Sequence, residues 1–168
     1  VLAGAAPEAV ASALARFGGV ARRFEHRGQA AGVVLVDDYA HLPTEVGAVL
    51  ATARSGGFAR VVAVFQPHRF SRTEALWSSF GGAFDDADVL YVTDVYPSGE
   101  APRPGVSGRL VADAVLRDRP GADVRYVARR EDLLDALVGE LRDGDLCLTM
   151  GAGDLTSVPD EVRDRLGG

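Results

Sequence analysis

DDYAHLPTE, residues 37–45, packs acidic, aromatic, imidazole and turn-forming groups between an apolar strand, GVVLVDDY, and an amphipathic helix. Proline at a first helical position has no N–H to lose, so Pro43-Thr44-Glu45 opens that helix. Val46, Val49, Leu50 and Ala53 then recur at the spacing of one helical face, up to a stop at Gly56-Gly57. Ligands of open α/β sheets bind at the carboxyl ends of strands, so a candidate site begins in this loop. A second apolar strand, RVVAVF at 60–65, runs into QPHRFSRT at 66–73 and places His68, Arg69 and Arg72 at another strand-to-helix junction. Two polar loops of this kind point to one shared site.

Outward from these junctions the same alternation continues. Residues 7–17 read as a helix ending at Gly18-Gly19, and ARRFEHR and GVVLVDDY read as two strands separated by Gly28 to Gly32, a plausible hairpin. Ser71-x-x-Glu74 has the form of a capping box for the helix after RVVAVF, with Leu76, Phe80, Ala83 and Phe84 as its buried stripe. A strand over 88–94 leads into YPSGEAPRPG, a loop rich in proline and glycine and too long for a minimal turn. Next come a helix near 107–118, a strand at 124–127, and a helix near 130–141 with Leu133, Leu137 and Leu141 on one face. The strand DLCLTM ends in GAGD, and a helix from about Pro159 to Leu166 follows. Repeated βα units predict an α/β, Rossmann-like fold: a mostly parallel sheet with helices on both faces.

At 168 residues and 47% hydrophobic content the chain can bury one sizeable core without staples. A lone Cys147 inside an apolar run argues against a disulfide framework or a zinc finger and for a reducing, cytoplasmic setting. No stretch reads as a signal peptide or a membrane span, so no membrane partner is expected. The net charge of −6 is the wrong sign for a phosphate-backbone footprint, so no nucleic acid is expected either. All 18 basic residues are arginine, so the chain holds no P-loop of the G-x-x-x-x-G-K-[ST] type. Asp37 and Asp38, adjacent on a strand, point to opposite faces and cannot both clamp one ion, and no metal ligand is assigned. Nucleophilic catalysis of the Ser/His/Asp or Cys/His kind has no supporting spacing, and no catalytic residue is assigned. Residues 1–20 fall outside the βα logic and are expected to be the last helix and linker of a preceding domain, with 21–168 as the domain proper.

GGVARRF, VDDYAHLPTE, FQPHRFSRT, DVYPSGEAPRPGVSG and TMGAGD, in that order and spacing, resemble the carboxyl-terminal domain of the Mur ligases, and among them the ligases that add L-alanine to UDP-N-acetylmuramate. The resemblance covers nearly the whole chain. It implies an ATP-dependent amide ligase of peptidoglycan assembly, working through an acyl phosphate. ATP and Mg2+ would be held mainly by a central domain that this chain lacks, and the chain would be inactive alone. The partners implied are L-alanine, ATP, UDP-N-acetylmuramate and the amino-terminal and central domains of the same polypeptide.

By the same resemblance Arg23 corresponds to an arginine that reaches the ATP phosphates, and Asp38 to an aspartate that holds the nucleotide through its ribose hydroxyls. Tyr39, His41, Arg69 and Arg72 correspond to positions around the incoming L-alanine, the two arginines being natural partners for its carboxylate. Arg69 and Arg72 stand three apart across a helix start, where amide groups add positive potential. Where the family usually shows glycine and two histidines, this chain has Ala40, His41 and Leu42. A role for the second histidine therefore does not carry over, Leu42 is expected to pack as an apolar residue, and position 40 needs no positive φ. His68 is open between bonding the acceptor site and supporting the fold, and GAGD between an anion-binding turn and tight strand-to-helix packing. Two other functions fit the residues: a Mur-type ligase that adds a whole tripeptide, and a noncatalytic Rossmann-like module that binds a nucleotide or amino acid.

Overall fold

The computed structural model describes residues 4–16 and 19–168. Along the chain run α1 (Pro7–Ala15), β1 (Glu25–Ala30), β2 (Val33–Asp38), α2 (Pro43–Arg54), β3 (Arg60–Phe65) and α3 (Phe70–Leu76). They are followed by β4 (Val89–Val92), α4 (Arg109–Asp118), β5 (Asp123–Tyr126), α5 (Arg130–Glu140), β6 (Asp145–Met150) and α6 (Val158–Leu166). Short 3-10 turns cover Trp77–Phe80 and Asp154–Ser157. The six strands form one sheet in the order β1-β2-β6-β3-β4-β5. β1 is antiparallel to β2 and every other pairing is parallel, as the βα alternation predicts.

β6, the last strand in the chain, slots between β2 and β3, and its register sets Asp38, Met150 and Phe65 side by side at their carboxyl ends. Val92 of β4 pairs with Phe65 in the same row. Loops far apart in sequence therefore leave one edge together. Side-chain alternation divides the core between the two faces. Val36, Ala63, Phe65, Leu148 and Met150 pack under α2, α4, Phe80 and Phe84. Leu35, Val62, Val64 and Cys147 pack under Leu133 and Leu137 of α5 and Val158 and Val162 of α6. Burying each such side chain contributes about 1.5–3 kcal/mol, and full burial pushes the Cys147 thiol up to about 12, which leaves it inert.

Three local expectations need correction. β1 starts at Glu25 rather than Ala21, because residues 21–24 form a turn in which Arg22 and Phe24 take positive φ of 57° and 46°. It then runs through Gly28, at φ 114°, with its register shifting between His26 and Gly28, so the hairpin turn is Ala31-Gly32. The Ser71–Glu74 capping box does not form. Helix α3 begins two residues earlier, with Arg69 at its N-cap, and both the N–H and the hydroxyl of Ser71 donate to Glu100 of the proline-rich loop, while Glu74 pairs with Arg103. The expected helix over 7–17 is observed as α1, which ends at Ala15; Phe17 and Gly18 lie outside the described residues.

The amino edge of the sheet is closed by ion pairs. Arg60 donates to both oxygens of Asp145 at 3.0 and 2.7 Å and to Glu140 at 2.7 Å. Arg125 donates to the second Glu140 oxygen at 2.8 Å and to the Tyr91 hydroxyl at 2.6 Å. Arg125 and Arg60 hold the Glu140 carboxyl below its ordinary value of 4.5. A depressed folded-state value means that this stabilisation is complete above about 4.5 and is lost as pH falls through the lower, folded value. Glu140→Gln should accordingly cost about 1–3 kcal/mol at neutral pH, and the gap from the parent in urea midpoints should close in acid. A gap that stays constant with pH would contradict this.

Candidate functional site

The carboxyl edge is built on two buried acids. Asp37 and Asp38 end β2 pointing to opposite faces, as adjacent strand residues must. Asp37, 0% exposed, accepts the Thr149 hydroxyl at 2.7 Å, the Thr156 hydroxyl at 2.9 Å and Arg22 Nε at 3.1 Å. Arg22 also donates to the carbonyl of Gly151, tying three chain segments together. Asp38 is 3% exposed, and its two oxygens accept the N–H groups of Phe24 and Ala40, each at 2.7 Å. Tyr39 N–H closes the clamp on the Arg22 carbonyl at 2.8 Å. The acids thus fix the strained turn at 21–24, and the turn holds Arg23 out, exposed, with its guanidinium 5.8 Å from the Tyr39 ring centre.

His41 stands edge-on to Tyr39, ring centres 5.2 Å apart, and its Nδ1 lies 2.9 Å from the Tyr39 carbonyl, which can only accept. Its N–H and that of Leu42 donate to Glu45, one turn into α2, at 3.0 and 3.2 Å. Leu42 is partly buried at the start of α2, and Ala40 has no positive φ, both as expected from the sequence.

Across the edge, the His68 and His41 ring centres are 6.1 Å apart. His68 lies flat on Tyr96, 5.7 Å between centres with the planes 11° apart, and its Nδ1 is 3.3 Å from Arg72 Nη1. Arg69 caps α3 at φ 69°, an unfavourable conformation for a side chain with a Cβ, costing about 1–3 kcal/mol. That conformation is held by its N–H on the Tyr96 carbonyl at 2.8 Å and by the Thr73 hydroxyl and N–H on its own carbonyl. Arg23, Tyr39, His41, His68 and Arg72 thus form a chain of neighbours, with Asp38 beneath it and Arg69 beside it. Arg23, Arg69 and Arg72 make no ion pair among the described residues, a state they share with Arg16 and Arg109, whereas the other arginines are paired. In a chain of net charge −6, unpaired guanidinium groups gathered at the carboxyl edge of the sheet give that edge a local positive charge suited to an anion.

The turn after β6 owes its glycines to packing. A Cβ on Gly153 would sit 2.4 Å from Gln66 Oε1 and 2.5 Å from Tyr96 Cγ, and the Gly151 N–H is already spent on the Asp38 carbonyl. Close approach accounts for the glycine at 153. The proline-rich loop is a brace: Tyr96 backs His68, Glu100 caps α3 and Arg103 pairs with Glu74. Arg22, Tyr96 and Glu100 escape sequence reading, although an arginine doublet and an aromatic just past a strand were the available signals. No group of three His, Cys, Asp or Glu side chains is placed to hold a metal among the described residues. None of the described helices is long and apolar enough to cross a membrane.

Residues 22–153 match the family model "Mur ligase, glutamate ligase domain". UDP-N-acetylmuramate--L-alanine ligase of Nitratidesulfovibrio vulgaris is 51% identical over 157 residues, covering 93% of this chain and 34% of that protein. The enzyme of the same name from Kineococcus radiotolerans is 53% identical over 164 residues, covering 97% and 34%. Among solved structures, UDP-N-acetylmuramate-alanine ligase MurC of Thermotoga maritima superposes with a TM-score of 0.79 at 28% identity, over 98% of this chain and 34% of that one. The chain spans about a third of the length of the curated relatives it matches. Because the matched stretch runs from Arg22 to Gly153 and so takes in both polar loops, their acids and the β6 turn, the chain belongs to the Mur ligase family.

Proposed function

We propose that this chain is the acceptor-side domain of a cytoplasmic, ATP-dependent ligase that joins L-alanine to UDP-N-acetylmuramate in peptidoglycan assembly. The observation that carries the reading is the pair of arginines without carboxylate partners, Arg69 and Arg72, at the start of α3, a receptor of the right charge for an amino-acid carboxylate. The L-alanine ligases at about half identity over nearly the whole chain support it. A free carboxylate is a poor electrophile. ATP would phosphorylate the lactyl carboxylate, the alanine amine would attack the acyl phosphate, and phosphate would leave as the amide forms. Tyr39, His41, Arg69 and Arg72 would seat the amino acid for that attack, positioning being a large part of such catalysis.

Arg23 would reach the ATP phosphates across a domain interface, and Asp38 would meet the ribose with lone pairs left by its two backbone bonds. Magnesium would travel with the triphosphate on parts of the polypeptide outside this chain. Residues 1–20 would belong to the domain that precedes this one. The test is phosphate release by the full-length polypeptide with ATP, magnesium and UDP-N-acetylmuramate, offered L-alanine or the L-Ala-D-Glu-diaminopimelate tripeptide. Release that depends on L-alanine is expected. Release only with the tripeptide would assign the chain to the recycling branch, and none with either would leave a binding module.

A further inference from the structure

We propose that His68 is a positioning residue of the carboxylate receptor, accepting a hydrogen bond from Arg72 and fixing that guanidinium toward the incoming amino acid. This rests on the ligase reading above. Arginine has only donors, so the 3.3 Å contact between Arg72 Nη1 and His68 Nδ1 makes Nδ1 the acceptor and places the imidazole proton on Nε2. The left-handed Arg69 between them turns the chain so that the two side chains meet. His68 cannot swing away, because its ring lies flat on Tyr96. Tyr96 in turn is pinned by its N–H on the Pro67 carbonyl at 2.9 Å, by Arg69 N–H on its own carbonyl, and by Gly153 packed against its Cβ and Cγ. A long, flexible arginine with no carboxylate partner is thereby held in one pose before the amino acid arrives.

The groups facing His68 are Arg72 and Arg69 from α3 and its cap, His41 from the β2–α2 loop, and Glu100 and Tyr96 from the proline-rich loop. Burial, then Arg72, His41 and Arg69, lower its pKa against the weaker opposing pull of Glu100. The acceptor is therefore present at neutral pH. Protonation in acid turns it into a donor facing a donor, so Arg72 is released as pH falls through the lowered value.

The experiment is L-alanine-dependent phosphate release by the full-length enzyme. His68→Ala should raise the KM for L-alanine by about tenfold, more than it changes kcat or the KM for ATP. In His68→Asn, whose Oδ1 can accept where Nδ1 did, KM should return to within about threefold of the parent. Beyond the fall that protonation of the alanine amine imposes on every variant, the parent should show a further acid loss of kcat/KM for L-alanine that is absent in His68→Asn. An unchanged KM in His68→Ala, an asparagine variant as impaired as the alanine one, or an acid profile in His68→Asn identical to the parent's overturns the proposal. The last comparison needs only the conservative variant, so it decides the matter even where His68→Ala fails to fold. A parent whose phosphate release ignores L-alanine overturns the ligase reading and this inference with it, whereas a responsive parent with indifferent variants overturns this inference alone.

Discussion

Replacing Arg72 by alanine in the full-length enzyme is expected to raise the KM for L-alanine by roughly 30- to 150-fold, the equivalent of about 2–3 kcal/mol for a lost hydrogen bond to a charged group. The KM for ATP should move little, because Arg72 stands on the α3 side of the edge, and the arginine assigned to phosphate, Arg23, stands across it by Tyr39. Arg72 is the stronger test of the two receptor arginines. Its guanidinium has a defined neighbour in His68, whereas Arg69 also sets the backbone at φ 69° and so confounds side-chain loss with strain. Arg72→Lys should fall in between, since lysine keeps the charge but not the planar fork that grips both carboxylate oxygens. Steady-state kinetics with L-alanine varied at saturating ATP separates these cases. A KM for L-alanine unchanged in Arg72→Ala would remove the carboxylate receptor from this edge.

Why the sequence disclosed some of this and not the rest follows from the range of the interactions. Apolar runs such as RVVAVF and DLCLTM and the proline-led start of α2 are local, so the strands, the helices and the parallel sense of the sheet are legible from spacing. That the two polar loops share one site is also legible, because βα topology sends both to the same edge. What spacing cannot carry is a cap supplied from elsewhere: Ser71 and Glu74 have the local form of a capping box, but Glu100, 29 residues on, satisfies the serine instead. The turn at 21–24 reads as strand from spacing for the same reason. Its two left-handed residues are held by Asp37 and Asp38, some 15 residues away, and no local propensity announces such a hold. Resemblance assigns Asp38 to a nucleotide, but the bonds of its two oxygens to the Phe24 and Ala40 N–H groups depend on the fold and leave no mark in local sequence.

The largest stability effect is expected at Asp37, which no reading of the motif assigned a role. Asp37→Ala removes the only carboxylate paired with Arg22 among the described residues, takes the acceptor from the partly buried Thr156 hydroxyl and leaves the fully buried Thr149 hydroxyl only the Val36 carbonyl at 3.3 Å. Breaking one half of a buried ion pair typically costs about 3–5 kcal/mol, because the surviving charge keeps its desolvation penalty without its partner. Arg22 is 22% exposed, so part of its penalty can be relieved by water, which puts the expectation near the lower end of that range. The urea midpoint of this chain should fall accordingly. Arg22→Ala should cost a comparable amount, since Asp37 keeps its two threonine donors but is left as a fully buried charge, and the double variant should be little worse than either single one if the two side chains act as one unit. Additive losses would mean that each residue contributes separately and that the latch between Arg22, Asp37 and Gly151 is not a single device. Cooperative losses would tie the fold to the chemistry, because the same latch fixes the turn on which Arg23 is presented, and loosening it should weaken ATP use in the full-length enzyme before it affects L-alanine.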